Sequence, residues 1–410
     1  MQIVFVVPNV PSPIRPRPFN LIRTLSRIHE VSVLCVATTD ADDQFIADLR
    51  PYCHNLEVFR VPRWRSVWNC ICALFSSRPV RCAYFYSPSL RRRLEQKVSQ
   101  GEVDLVHAEH LKSAPMVETV VGEVPVVFDA VDCVSMFETR RRKVIRNPWL
   151  KTFSWSESKK MTFAEARAVE LFNRVVICSD IDKRSYPVSS ALREKIDVII
   201  SCVDLEYFAF QEFEPRDNLL VLCGKFDYFP NEDAALYFAR SIWPLLRRRR
   251  PHLKLDIVGS RPPQSIRQLS GKENVNVVAS VPDLRPYVGR AWVSLAPIRI
   301  RAGIQTKIIE SLALGVPVVA HSICCEGLKV QPGRDLLVAD TPGQFVSAVE
   351  LLLDNHGVRD SLVNAGRRYV EQYHDWGKAV LALCDSYTKA VEDFSGSTNV
   401  AATVKCASQI

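Results

Sequence analysis

Short apolar runs alternate with helical stretches along this chain, and the alternation starts twice. Ile3–Val7, Val31–Val36, Leu105–His107, Val124–Phe128 and Val175–Cys178 read as strands, with Leu56–Val61 extended. Between them Phe19–Ile28, Asp43–Leu49 and Met161–Phe172 read as helices. A strand covered by helices on both faces is apolar on both sides, so an unbroken apolar run between helices predicts a parallel sheet. After Lys195 the pattern restarts with Val198–Ser201, Leu219–Cys223, Leu253–Val258, Val275–Val278, Val293–Ala296, Val316–Ala320 and Leu336–Val338 as extended segments. Helices are expected at Glu232–Leu246, Ile304–Leu314 and Gln344–Leu353. Gly315 and Pro317 end the second of these in the usual way. Two α/β halves follow, with a junction near residues 195–210. Trp376 opens a last helical stretch, and the residues after Phe394 are small, polar and without an apolar period.

Composition narrows the class. The chain has 410 residues, enough for two or three domains, and 47% are apolar. Lys plus Arg exceed Asp plus Glu by 53 to 45, a mild basic excess that permits an anionic ligand or surface and calls for no nucleic acid. The 13 cysteines include no Cys-x-x-Cys, which argues against a zinc ribbon, a thioredoxin-type site and a disulfide scaffold and suits buried thiols in a reducing compartment. No apolar run reaches the roughly 18–20 residues that span a bilayer. The opening Met1–Pro8 reads as a buried strand rather than a signal peptide, and the expected location is the cytoplasm.

One stretch carries chemistry most directly. Arg299-Ile-Arg-Ala-Gly-Ile-Gln-Thr-Lys-Ile-Ile-Glu310, followed by Ser-Leu-Ala-Leu-Gly-Val-Pro-Val-Val319, is a strand end, a glycine turn and a helix start. First-turn amides lack partners inside a helix and lie at its positive end, which suits a phosphate. Lys307 adds a cation, and Glu310 a carboxylate able to accept from ribose hydroxyls; the alternative is an ordinary β-α unit with a solvated Glu310.

These residues resemble the nucleotide-sugar segment of the GT-B glycosyltransferases of family 4, and more narrowly the exosortase- or PEP-CTERM-associated sugar transferases. Leu222-Cys-Gly-Lys-Phe-Asp-Tyr-Phe-Pro-Asn231, Val281–Tyr287, Pro332–Asp340 and Tyr373-His-Asp-Trp376 are similar to further segments of that group, so the resemblance extends over roughly residues 1–394. It implies an α/β fold of GT-B architecture, two Rossmann-like parallel-sheet domains with a cleft between them. Residues 1–197 would form the acceptor domain, joined by the C-terminal helix 377–394, and 198–376 the nucleotide-sugar domain, with 395–410 a flexible tail. It implies a retaining, metal-independent hexosyltransferase. The sugar would pass from a nucleotide-sugar to a glycan or lipid-linked acceptor in surface polysaccharide synthesis, with no cofactor. Gly224, Lys225, Gly303, Ile304, Gln305, Thr306, Lys307 and Glu310 would bind the donor. Lys225 and Lys307 would stabilise the leaving diphosphate.

The sequence departs from the family pattern at several places. Family 4 enzymes often carry a second Glu eight residues before Glu310; here that position is Ala302. The usual Gly-rich loop after the first strand is replaced by Pro11-Ser-Pro-Ile-Arg-Pro-Arg-Pro18. Proline has no N–H to give, so Arg15 and Arg17 stand as side-chain cations for a phosphate or acceptor, or as solvated residues of a rigid turn. Leu105-Val-His107-Ala-Glu109-His110 ends a strand where the family often has His-x-His; Glu109 and His110 are candidates to orient hydroxyls or move a proton, and His107 is either part of that set or a core residue. Asp129 and Asp132 lie on the acceptor side by the same resemblance, or Asp132 caps a helix. Asp40-x-Asp42 and Asp180-x-Asp182 look like metal motifs of another fold but read better as helix caps, and no metal is expected. Arg63-Trp-Arg-Ser-Val-Trp68 through Phe75, with Arg91–Arg93 and Arg140–Lys143, reads either as a docking element for an anionic membrane or as a partly buried helix beside solvated charges. A dehydrogenase would need Gly-x-Gly-x-x-Gly after a strand, and none occurs. A non-catalytic nucleotide-sugar or glycan binder on the same scaffold remains the main alternative, with a sugar-nucleotide epimerase behind it.

Overall fold

The computed structural model describes residues 1–13, 15–38, 43–145, 147–211, 213–300 and 303–398. The chain divides into two compact units, Met1–Ile200 with the chain from Trp376 onward, and Ser201–Asp375.

The first unit is built on a seven-stranded sheet of order β3-β2-β1-β4-β5-β6-β7. Its strands are β1 Gln2–Val7, β2 Glu30–Ala37, β3 Asn55–Arg60, β4 Leu105–Glu109, β5 Val126–Val131, β6 Arg174–Ile177 and β7 Ile196–Val198. Every pairing is parallel. The central strands are buried along almost their whole length, as apolar runs flanked by helices require. Helix Pro148–Leu171 is twice as long as the expected Met161–Phe172 stretch, because Pro148 at its first turn and the Asn147 side chain, accepting from the Trp149 and Leu150 amides, start it earlier.

Buried charge in this unit is turned inward. The helix Val134–Val144 has no side-chain cap from its own N-terminus. Its N-cap residue is Cys133 rather than Asp132. Glu165 caps it from helix Pro148–Leu171: its Oε1 accepts from the Val134 amide at 2.5 Å and the Ser135 amide at 3.2 Å. Burial pushes the Glu165 carboxyl up to about 7. The last helix, Trp376–Thr398, also belongs to this unit and runs past the expected end at 394; residues 399–410 lie outside the described residues.

The second unit carries a six-stranded parallel sheet of order β10-β9-β8-β11-β12-β13. These strands are β8 Arg216–Cys223, β9 Lys254–Gly259, β10 Val275–Ala279, β11 Ala291–Ala296, β12 Val318–Ala320 and β13 Leu337–Val338. The helix expected over Glu232–Leu246 is three pieces: Phe229–Tyr237, a wide π turn Phe238–Ile242 and Trp243–Arg249. Pro244 explains the break, since its ring lacks an N–H and collides with the carbonyl four residues back. Helix His356–Tyr373 was not anticipated; Asn355 caps it through the Val358 amide, and Leu362, Gly366, Tyr369 and Val370 form its buried stripe.

Replacing Glu165 with Ala leaves two amides at a helix start without an acceptor. The expected loss is about 2 kcal/mol, or roughly 4–8 °C in melting midpoint, with Glu165→Gln much milder because one acceptor oxygen stays. Thermal unfolding followed by circular dichroism checks this.

Candidate functional site

In an open parallel sheet, ligands sit outside the carboxyl ends of the strands where strand order reverses. In the second unit that reversal falls between β8 and β11. There β8 ends in Cys223 and passes into Gly224 and Lys225, while β11 leads through Gly303 into helix Thr306–Ala313. The helix holds itself against the sheet with Ile308, Ile309, Leu312 and Ala313, so its polar side bears Thr306, Lys307 and Glu310.

Lys307 ties the two chain segments together. Its Nζ donates to Asn231 Oδ1 at 2.6 Å and to the Cys223 carbonyl at 3.0 Å. Asn231 in turn donates to the Lys225 carbonyl at 2.9 Å, so its orientation is set from both ends. Burial lowers the Lys307 pKa below the ordinary lysine value. Only a residue without a side chain fits at Gly224: a Cβ there would lie 2.9 Å from Asn231 Nδ2 and 3.1 Å from Lys307 Nζ. Gly303 turns the chain at φ 61°, the left-handed region, just before the helix. The helix start has no side-chain cap, with Gln305 as N-cap residue and Ile304 half-buried beside it.

Glu310 is half-buried one turn after Thr306, whose side chain hydrogen-bonds to it. Burial pushes its carboxyl up to about 7, partly offset by Lys307 and that hydrogen bond. Lys225 differs from Lys307 in being exposed, with its Nζ 3.8 Å from Asp227 Oδ1. Arg299 forms a bidentate pair with Asp233 at 2.6 and 3.0 Å, and its guanidinium lies over the Tyr237 ring. Ala302, the position of the missing second Glu, lies outside the described residues, as does Asp40-x-Asp42.

The first unit gathers a second set where its own order reverses, between β1 and β4. Glu109 and His110 are half-buried at the end of β4. The His110 amide donates to the Asp129 carbonyl at 2.6 Å, and this holds His110 at φ 64°. Its Nδ1 accepts from the Lys112 amide at 3.3 Å, which leaves the ring proton on Nε2. Burial and the neighbouring Lys112 and Arg81 keep this imidazole neutral, well below its ordinary pKa. Burial and Asp129 raise Glu109 to about 7 against Lys112, Arg17 and Arg15. Lys112 was not singled out from the sequence; no motif marks a lysine three residues past a strand end, and its charge acts on Glu109 from the turn after β4.

Three expected acceptor-side residues face inward instead. Arg17 is buried; it donates to both Asp129 oxygens at 2.8 and 3.2 Å and to the Ile199 carbonyl at 2.9 Å. Asp129 is wholly buried and also accepts from the Val131 amide at 3.0 Å. Arg17 and Asp129, both expected on the acceptor side, hold each other as desolvated opposite charges. His107 is wholly buried too, stacked on Phe5 with ring centres 4.2 Å apart, and Tyr387 Oη bonds its Nδ1 at 2.9 Å. Burial drops its pKa to about 4, so it is a neutral core residue. Arg15 is half-buried and donates to the Val10 carbonyl at 2.9 Å; Asp132 is half-buried after β5. Asp182 is buried, its amide donating to Ser179 Oγ at 3.1 Å in a helix cap. Among the described residues no three His, Cys, Asp or Glu side chains converge as metal ligands.

Residues 217–355 match the family model described as Glycosyl transferases group 1. The structure is similar to that of Anabaena HepE in complex with UDP and glucose, at 12% identity and TM-score 0.68, covering 95% of this chain and 100% of that one. It is likewise similar to sucrose-phosphate synthase from Thermosynechococcus elongatus, at 15% identity and TM-score 0.69, covering 95% and 99%. The fold is GT-B. Among curated proteins, a glycosyltransferase 1 domain-containing protein 1 from Xenopus tropicalis is 24% identical over 135 residues, which are 31% of this chain and 39% of that protein. The GT-B scaffold and the family match thus meet on the unit that holds Lys307 and Glu310.

A half-buried ammonium held by two acceptors is a cost that folding alone would avoid. Lys307→Met is therefore expected to stay within about 1 kcal/mol of wild-type stability, whereas Asn231→Leu, which strips a partner and keeps the charge, loses roughly 1–3 kcal/mol. Denaturant unfolding of both variants checks the contrast.

Proposed function

We propose that this chain is a nucleotide-sugar-dependent glycosyltransferase of the GT-B type. It transfers a hexosyl group, with retention and without a metal, to a glycan or lipid-linked acceptor in surface polysaccharide synthesis. One observation carries the reading: Lys307 and Glu310 stand together on a helix start at the strand-order reversal of the unit that matches the glycosyltransferase family. That neighbours of the same fold bind UDP and glucose supports a uridine or related nucleotide as donor.

In this reading the second unit binds the donor. Amides from Gly303 to Lys307, with the Lys307 and Lys225 ammonium groups, neutralise the diphosphate, a preorganised stabilisation that grows as the bond to the sugar breaks. Glu310 accepts from the ribose hydroxyls. The first unit binds the acceptor, with neutral His110 donating from Nε2 and Glu109 accepting. The bond from the sugar's anomeric carbon to the phosphate oxygen breaks, and the acceptor oxygen bonds to that carbon on the same face. The acceptor's hydroxyl proton passes to the departing phosphate. No side chain of the set is needed as a covalent nucleophile. Exosortase-type family membership belongs to this proposal and rests on the sequence resemblance.

A binding-only role is the second reading, favoured by Ala302 at the place of the missing Glu and by the glycine-free first loop. Calorimetry with UDP, GDP, ADP and TDP, with and without their sugars, separates the cases. One nucleotide is expected to bind, at least tenfold more weakly in Lys225→Ala and in Glu310→Ala; no binding of any by the folded protein sinks the donor site. Donor hydrolysis or transfer in the same samples distinguishes an enzyme from a binder.

The raised Glu310 pKa adds a pH signature. A carboxylate that binds only when ionised loses occupancy below its pKa, so affinity should fall roughly tenfold between about pH 8 and about pH 6. Glu310→Gln should bind weakly at both values. An unchanged slope in that variant assigns the dependence elsewhere, for instance to the phosphate.

A further inference from the structure

An amphipathic helix normally turns its apolar stripe toward the core. Helix Arg63–Leu74 of the first unit does the reverse. Ser66 and Ala73 are its buried residues, with Asn69 and Cys70 half-buried on the same side. Trp64, Val67, Trp68, Ile71, Leu74 and the following Phe75 are all exposed, Trp64 at 70%, Trp68 at 61% and Phe75 at 89%. At 100° per residue these six fall within an arc of about 120°, and Arg63 and Arg65 flank it on either side. The helix is buried on its small-residue side only, and the large apolar residues are the exposed ones.

The neighbouring helix Pro148–Leu171 extends this face. Lys160 Nζ donates to the Ala73 carbonyl at 2.7 Å, capping the end of helix Arg63–Leu74. Trp149, exposed at 85%, and Phe153 lie on the same side of their helix as Lys160. Monomeric proteins rarely leave so much contiguous aromatic surface open without a use.

Charge says what covers it. Segments 58–94 and 139–156 hold fourteen Lys and Arg and no Asp or Glu. Glu157, the first carboxylate of helix Pro148–Leu171, is buried and accepts from the Val80 amide at 3.0 and 3.1 Å. The face is thus apolar and rich in Trp, with the exposed Arg63 and Arg65 on its flanks, while Arg60, Arg81, Arg91, Arg93 and Arg141 of the same segments pair with carboxylates. No helix among the described residues is long and apolar enough to cross a membrane.

We propose that helix Arg63–Leu74, with the start of helix Pro148–Leu171, docks this chain on the surface of an anionic phospholipid bilayer. The indoles and Phe75 enter the headgroup boundary, and the arginines meet lipid phosphates. This inference does not rest on the donor site, and its test contains no nucleotide.

The full chain is sedimented with vesicles of phosphatidylcholine alone and with about 30 mol % phosphatidylglycerol. Binding is expected to be at least tenfold stronger to the anionic vesicles, to weaken with added salt and to shift tryptophan emission to the blue. The variant Trp64→Ser/Trp68→Ser/Phe75→Ser should lose at least tenfold. Arg63→Glu/Arg65→Glu removes no aromatic ring and should lose the preference for anionic lipid, so the test stands even if the first variant folds poorly. Equal binding to both vesicle types, or full binding by the charge-reversed variant, overturns the proposal. So does a self-associating wild type that ignores vesicles and becomes monomeric in the Ser variant, which would assign the face to a second copy of the chain.

Discussion

Every strand in both sheets runs parallel to its neighbours, and most of what can be said of function follows from that one constraint. Parallel strands need a crossover through a helix, so all carboxyl ends emerge on one edge and all helix starts point toward it. Where strand order reverses, two adjacent crossovers leave in opposite directions and the edge opens. Lys307 and Glu310 occupy that place in one unit, and Glu109 and His110 occupy it in the other. Neither location needed a motif of its own; each is what a doubly wound sheet makes available.

The same edge also shows how the fold sorts its polar groups. Arg17 with Asp129, and His107 with Tyr387, are buried and answer each other within the first unit. They lock the end of β5 and the last helix into place. Glu109, His110 and Lys112, a few residues along the chain, are only half-buried, and all three are shifted toward their neutral forms by burial. Lys307 is the intermediate case: it is held by Asn231 and a carbonyl, yet stays at the helix start where an anion would find it. Burial, rather than residue type, divides the charges that pair inside the unit from those left near its surface.

Some of this was legible in the chain itself. Apolar runs such as Val124–Phe128 announce central parallel strands because both faces are covered, and the restart after Lys195 announces a second sheet. The Gly303 to Glu310 stretch reads as an anion-binding helix start because spacing alone puts a cation in its first turn. Element boundaries were less legible. Pro244 splits a helix through one missing amide, and helix His356–Tyr373 hides behind Gly357 and an Asn cap that also suit a loop. Burial of the expected site residues Arg17, His107 and Asp129 was not legible, because Arg17 lies on a helix and the other two lie inside strands, and what each one packs against is far away in sequence.

The sequence by itself determined the α/β class, the two halves and the donor-like segment, because these depend on local periodicity and on neighbours a few residues apart. Tertiary structure alone decided which charges meet. Asp129 finds Arg17 across 112 positions, and Lys307 finds Cys223 across 84. It also decided that helix Arg63–Leu74 turns its tryptophans outward: the helical period fixes which residues share a face, but only packing against the rest of the unit selects the face that is buried.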